Sequence, residues 1–192
     1  MGNSGSARDS ALLDALEALS PVSYKDLVWR VVREGRDPCD CAATGGRWDD
    51  RTFDVLYTSQ LADGAVAEMS FHVHRGQPVA PSKVRYHLHE LRASLNHALK
   101  LADLVALELL GMDASRYGQL SYAERPLEYP RSQEVAEAAH FLGFEGLIVP
   151  SAQWDCHNVV LFCDTLPPEA REAVRDHGPV DWSHWKKQPY GY

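Results

Sequence analysis

The stretch Gly146-Leu-Ile-Val-Pro150, followed after a short polar loop by Asn158-Val-Val-Leu-Phe162, decides the architecture. Each apolar run is too short for a helix and is bounded by Gly, Pro, Asn or Asp, as buried strands are. Ser151 opens the loop between them, directly after a strand end and a proline. That position suits a side chain facing a cleft as well as one capping a turn. Working outward, Ser132 reads as the N-cap of a helix through Leu142, and Gly143 as its C′ residue. Upstream, Leu27–Val32 and Phe53–Thr58 read as two further strands. A helical start at Ser59–Ala67 continues through Glu68 and Met69. Leu12, Leu13, Leu16 and Leu19 follow helical spacing, closed by Pro21. Strands and helices mix without a strand–helix–strand rhythm, so an α+β fold is expected, with 192 residues forming one domain.

The remaining segments carry weaker signals. Leu91, Leu95, Leu99, Leu101, Leu104, Val105, Leu107, Leu109 and Leu110 predict one or two helices across 91–110, stopped by Gly111. Residues 33–50 and 112–130 read as loops, residues 1–9 as disordered, and the aromatic tail from Asp181 shows no period. The net charge of −8 lacks the broad basic surface that nucleic acid requires, so no direct nucleic-acid contact is expected. No apolar run is long enough for a membrane helix, and the N-terminus has no apolar core of a signal peptide. Met1-Gly2 with Ser6 fits a myristoylation pattern only loosely. Cys39, Cys41, Cys156 and Cys163 are expected as free thiols in a reducing cytoplasm.

Three segments draw attention as chemistry. Arg30 interrupts an apolar strand beside Trp29, which is costly unless it meets an anion or points outward. In Gly45-Gly46-Arg47-Trp48 the glycines let the backbone approach a ligand, and Arg47 can fork onto a diphosphate. Trp48 or Tyr57 can stack on a planar ring. Glu68 lies among Val66, Ala67 and Met69, and would otherwise be the polar face of a helix. Each residue also has an ordinary structural reading: a turn, a core ring, a half-buried strand residue.

Taken in order, these residues resemble the RES domain, named for its Arg, Glu and Ser. The pattern runs through Arg30, Gly45-Gly46-Arg47-Trp48, Tyr57-Thr58, Glu68, the stretch Leu142 to Ser151, and Asn158 to Phe162. It covers residues 27–166, with 1–26 and 167–192 as extensions. Two departures stand out. Asp49 replaces the usual Asn, and Val31 replaces a common aromatic, which leaves Tyr57 as the ring for nicotinamide. The resemblance implies a fold like that of ADP-ribosyltransferase toxins, with small mixed or antiparallel sheets surrounded by helices. It implies NAD⁺ as substrate, with Glu68, Arg30 and Ser151 catalytic. Arg30, Gly46, Arg47, Trp48, Tyr57, Ser151 and Asn158 would bind it. It further implies a cytoplasmic toxin that transfers ADP-ribose to a protein target, the alternative being a glycohydrolase or phosphorylase that depletes NAD⁺. An Xre-like, DNA-binding antitoxin would cover the site. The leucine-rich stretch and the tail would serve that antitoxin or a homodimer.

A His-ligated metalloenzyme is the remoter alternative. His72-x-His74 and His87-x-His89 each place two imidazoles on one face of a strand. Cupin-like spacing would want a Glu soon after His74, where Gly76, Gln77 and Pro78 stand instead. Cys39-x-Cys41 is tighter than usual zinc spacing. No metal is therefore expected.

Overall fold

The computed structural model describes residues 8–73, 84–119 and 124–185. Two three-stranded wings organise the molecule. In the first, β1 (Val22–Arg33) and β3 (Tyr86–Lys100) pair antiparallel along nearly their whole length, from Val22 opposite Ala98 to Arg33 opposite Tyr86. The opposite edge of β3 takes a late strand, here called β6 (Arg171–Pro179). The second wing joins β2 (Val55–Ser59), β5 (His157–Phe162) and β4 (Gly146–Pro150), all antiparallel in that order.

Two seams connect the wings. Ala98–Lys100 of β3 run parallel to Gly146–Ile148 of β4, and Trp29 of β1 pairs with Ser59 of β2. The sheet is therefore mixed, and through β1–β3 its strand order closes on itself.

Burial explains this layering. Val28, Leu91, Ala93 and Leu95 of the first wing meet Leu56, Ile148, Val159 and Leu161 of the second in one cluster. The other face of the second wing, through Val55, Leu147, Val149, Val160 and Phe162, packs under two helices. These are α1 (Ser10–Glu17), N-capped by Asp9, and α4 (Arg125–Phe141), which offers Val135, Ala136 and Ala139. Helix α2 (Ala62–Val73) covers the first wing with Ala65 and Val66 against Val31. α3 (Leu104–Leu109) and α5 (Trp182–Trp185) complete the set.

The predicted helices across 91–110 are corrected: residues up to Lys100 are strand, and only Leu104–Leu109 are helical. Leu91 and Leu95 are four apart, a spacing that suits a helix face and a strand face alike. Ala93, buried between them at 1% exposure, decides for the strand, and an alanine gave no apolar signal. Pairing on both edges then outweighs leucine's helix preference.

Ser132 is likewise not an N-cap. α4 begins seven residues earlier at Arg125, continues through Pro130, and buries Ser132, whose hydroxyl donates to the Tyr129 carbonyl. Gly143 does close the helix, with φ of 82°.

The four cysteines are not all free thiols. Cys41 and Cys163 are joined by a disulfide across a sequence separation of 122, while Cys39 and Cys156 remain free. His74, Gly76, Gln77, Pro78, the first seven residues and the tail beyond Trp185 lie outside the described residues. No helix among the described residues is long and apolar enough to cross a membrane.

Candidate functional site

A cleft of about 660 Å³ opens where α2, the end of β1, the 36–48 loop and the start of β5 meet. That volume is in the range that holds small ligands and cofactors. Arg30, Gly46, Arg47, Trp48, Tyr57, Glu68 and Asn158 all line it. Ser151 reaches the same wall through Glu68. Residues scattered over 129 positions of sequence thus converge on one cavity.

Glu68 is the centre of one wall. α2 presents it toward the second wing, where Ser151 at the end of β4 donates its hydroxyl to Glu68 Oε1 at 2.8 Å. Asn158, near the start of β5, donates its side-chain amide to the same oxygen at 2.9 Å. Three elements therefore hold one carboxylate in place. Both bonds reach Oε1, so among the described residues the second oxygen is left to accept from a ligand. The Asn158 Oδ1 atom is buried and has no partner among the described residues. A buried carbonyl without a donor is costly, so a ligand N–H or O–H would complete it. The thiol of Cys156 sits beside this wall, 3.3 Å from the Ser59 hydroxyl, and burial pushes its pKa up. It is therefore a neutral wall residue rather than a thiolate nucleophile.

The Gly45–Asp49 turn forms the opposite wall. Asp49 is fully buried and accepts from the Gly45 and Gly46 amides and from the Tyr57 hydroxyl. Tyr57 in turn accepts from the Trp48 amide at 2.8 Å. Burial, with the Asp49 carboxylate alongside, pushes the Tyr57 phenol well above its ordinary value. The proton therefore stays on the hydroxyl and serves Asp49. Glycine is required at 46, because a Cβ there would lie 2.6 Å from the Tyr57 hydroxyl. Gly45 adopts φ of 75°, a conformation that side chains disfavour. Trp48 is 2% exposed and belongs mainly to the core, so it offers a ligand little of its ring.

The two arginines are held differently. Arg30 donates through Nη1 to the Pro38 and Asp40 carbonyls, at 2.7 and 2.8 Å. It thereby pins the 36–48 loop, whose Ala42 also bridges to Val55. Burial pulls its pKa down from the ordinary value, yet an arginine remains charged. Arg47 is paired with Glu128 of α4, and its guanidinium lies 4.5 Å from the Tyr117 ring centre and 5.0 Å from that of Tyr129.

Sequence reasoning missed Glu128, Tyr117, Tyr129 and Gln133, which reach the site from a segment read largely as loop. Gln133 donates to the Gly46 and Asp49 carbonyls. Nothing in the sequence flags these residues, because each acts by position across 70 residues or more rather than by local motif.

The RES domain model matches residues 27–183, and the chain belongs to the RES domain family. Among solved structures, the chain is similar to one in the crystal structure of the M. tuberculosis MbcT–MbcA toxin–antitoxin complex. The TM-score is 0.76 at 19% sequence identity, over 93% of this chain and 97% of that one. No curated protein matches the sequence.

Proposed function

We propose that this chain is a toxin that binds NAD⁺ in the cleft and breaks its nicotinamide–ribose bond, transferring ADP-ribose to a protein. One observation carries the reading: Glu68 stands in the cleft wall with its carboxylate oriented by Ser151 and Asn158. Breaking the N-glycosidic bond sends its electron pair to nicotinamide and leaves positive charge on the ribose, as in glycoside hydrolysis. A fixed carboxylate stabilises that charge without reorganising. Arg30 would meet the diphosphate, Tyr57 would border the nicotinamide ring, and the Asn158 carbonyl would accept from ribose or amide. Within this reading the fold is of the ADP-ribosyltransferase type. The core motifs of the domain lie within residues 27–166, and the segment that follows supplies β6, still inside the span that the family model matches. The toxin acts in the cytoplasm, where an Xre-like antitoxin would cover the cleft mouth. The structural relative, solved in a toxin–antitoxin complex, supports such a partner.

A second reading concerns the acceptor. Asp49 would be the natural residue to position an incoming protein nucleophile, but its carboxylate is fully occupied within the Gly45–Tyr57 network. With Glu68 committed to the ribose, an acceptor that needs no base gains weight. An anion such as inorganic phosphate is one, and the product would then be depleted NAD⁺ rather than a modified protein.

The deciding experiment incubates the pure chain with labelled NAD⁺, alone, with phosphate and with cell lysate. Nicotinamide release is expected in the wild type and is expected to fall about 10²–10³-fold in Glu68→Gln. Label on protein supports transfer, and label only on small molecules supports depletion. No nicotinamide release under any condition would overturn both readings.

A further inference from the structure

A second constellation lies on the first wing, beside the strand position that carries Arg30. His87 and His89 are two residues apart on β3, so their imidazoles leave the same face. Their rings stack with centroids 6.2 Å apart. β6 places Asp176 opposite His89 in the register. One ligand atom from each of the three lies within 4.8 Å of the other two. His87 Nδ1 is 2.9 Å from an Asp176 carboxylate oxygen, and on the ring's far side Nε2 is 3.6 Å from Glu34 Oε1.

We infer that His87, His89 and Asp176 form a binding site for a divalent transition ion of the zinc class. Tetrahedral zinc with ligands at about 2.0–2.1 Å needs ligand atoms roughly 3.3 Å apart. The half-buried histidines and the exposed aspartate reach that by small side-chain rotations. His87 would coordinate through Nδ1, on the side of Asp176. Its Nε2–H then points to Glu34, the outer carboxylate that usually orients a metal-bound imidazole. The fourth position is open to water.

Charge supports the assignment. A doubly charged ion beside Asp176 and Glu34 sums to neutral. Arg30, which pairs with His89 across the strands, donates through Nη1 to the Pro38 and Asp40 carbonyls. A simple ion pair explains less. It needs only His87 and Asp176, and it makes no use of His89, whose imidazole also comes within ligand reach of that pair. The sequence reading expected no ion, because no carboxylate follows His74 at cupin-like spacing and no partner for His87 and His89 stands out nearby in the chain. The third ligand comes instead from β6, some 87 residues later, through strand pairing. An ion held this way would staple β6 to β3.

The test uses the untagged full chain, stripped with chelator and titrated with Co²⁺, the spectroscopic stand-in for zinc. The expected result is one equivalent bound at low-micromolar concentration, with the visible bands of a tetrahedral site that Zn²⁺ displaces. Zn²⁺ is also expected to raise the thermal midpoint, reversibly with chelator. His89→Ala and Asp176→Ala should each weaken binding at least ~tenfold, the scale at which even outer partners act. His97→Ala, on the same strand but stacked on Phe144 outside the cluster, should not. Circular dichroism reports whether each variant is folded. If the substitutions unfold the chain, the wild-type titration decides alone. No tetrahedral bands, several weak equivalents, or unchanged affinity in folded His89→Ala would each overturn the proposal. None of these readouts involves NAD⁺, so the outcome stands apart from the toxin reading.

Discussion

Arg30 and Arg47 belong to the same short block of sequence and line the same cleft, yet they face opposite partners. Arg47 meets a carboxylate, with side-chain exposures of 12% for Arg47 and 6% for Glu128. Arg30 meets two neutral carbonyls. A guanidinium paired with a carboxylate contributes no net charge to the cleft. One bonded only to carbonyls keeps its full charge for a ligand anion. The comparison assigns Arg47 mainly to holding the Gly45–Asp49 turn against α4, and Arg30 mainly to the ligand. Sequence alone offers both as cations for a ligand anion, and the structure separates them.

The largest effect expected is on stability. Arg47→Ala strands Glu128 as a buried, unpaired charge, which costs about 3–5 kcal/mol. Urea unfolding should show that loss, and adding Glu128→Gln to the same chain should recover most of it. If Arg47→Ala leaves the unfolding midpoint unchanged, the contrast between the two arginines collapses.

Next comes the carboxylate that Ser151 and Asn158 orient. Glu68→Gln keeps the shape and the contacts available to Ser151 while removing the charge. NAD⁺ turnover should fall about 10²–10³-fold, the scale for removing one preorganised electrostatic group. Far-ultraviolet circular dichroism should be unchanged, which separates this variant from Arg47→Ala.

Arg30→Ala tests the other half of the comparison. It removes a charged donor worth about 1.5–3 kcal/mol to an anion, so KM for NAD⁺ should rise roughly ten- to a hundredfold. Its unfolding midpoint should move less than that of Arg47→Ala. A larger stability loss than Arg47→Ala would reverse the two roles.

The smallest expected change sharpens the turn itself. Asp49→Asn replaces one carboxylate oxygen with an amide that faces N–H donors, costing roughly 1–3 kcal/mol. Because Asp49 serves the turn and not the acceptor, the loss should appear in unfolding and in KM more than in kcat. A kcat drop at unchanged stability would return Asp49 to the chemistry.

Much of the cleft is legible without coordinates. Arg30, Gly46, Arg47, Tyr57, Glu68, Ser151 and Asn158 lie in local patterns whose order and spacing survive in one dimension. The strands around them are short apolar runs that turns delimit. The α+β class follows from the same runs, and so do the helix around Glu68 and the stop at Gly143. These features depend on neighbours a few residues away, which is the range over which sequence patterns carry information.

What the tertiary structure decided has partners far apart in the chain. β3 is a strand because β1, β6 and β4 occupy its two edges, although its leucines fit a helix as well. Arg47 is neutralised by Glu128 across 81 residues, Cys41 is joined to Cys163, and Asp176 is carried to His89 by strand pairing. Charge, redox state and ligand count at these positions belong to pairs, and a pair exists only after the chain has folded.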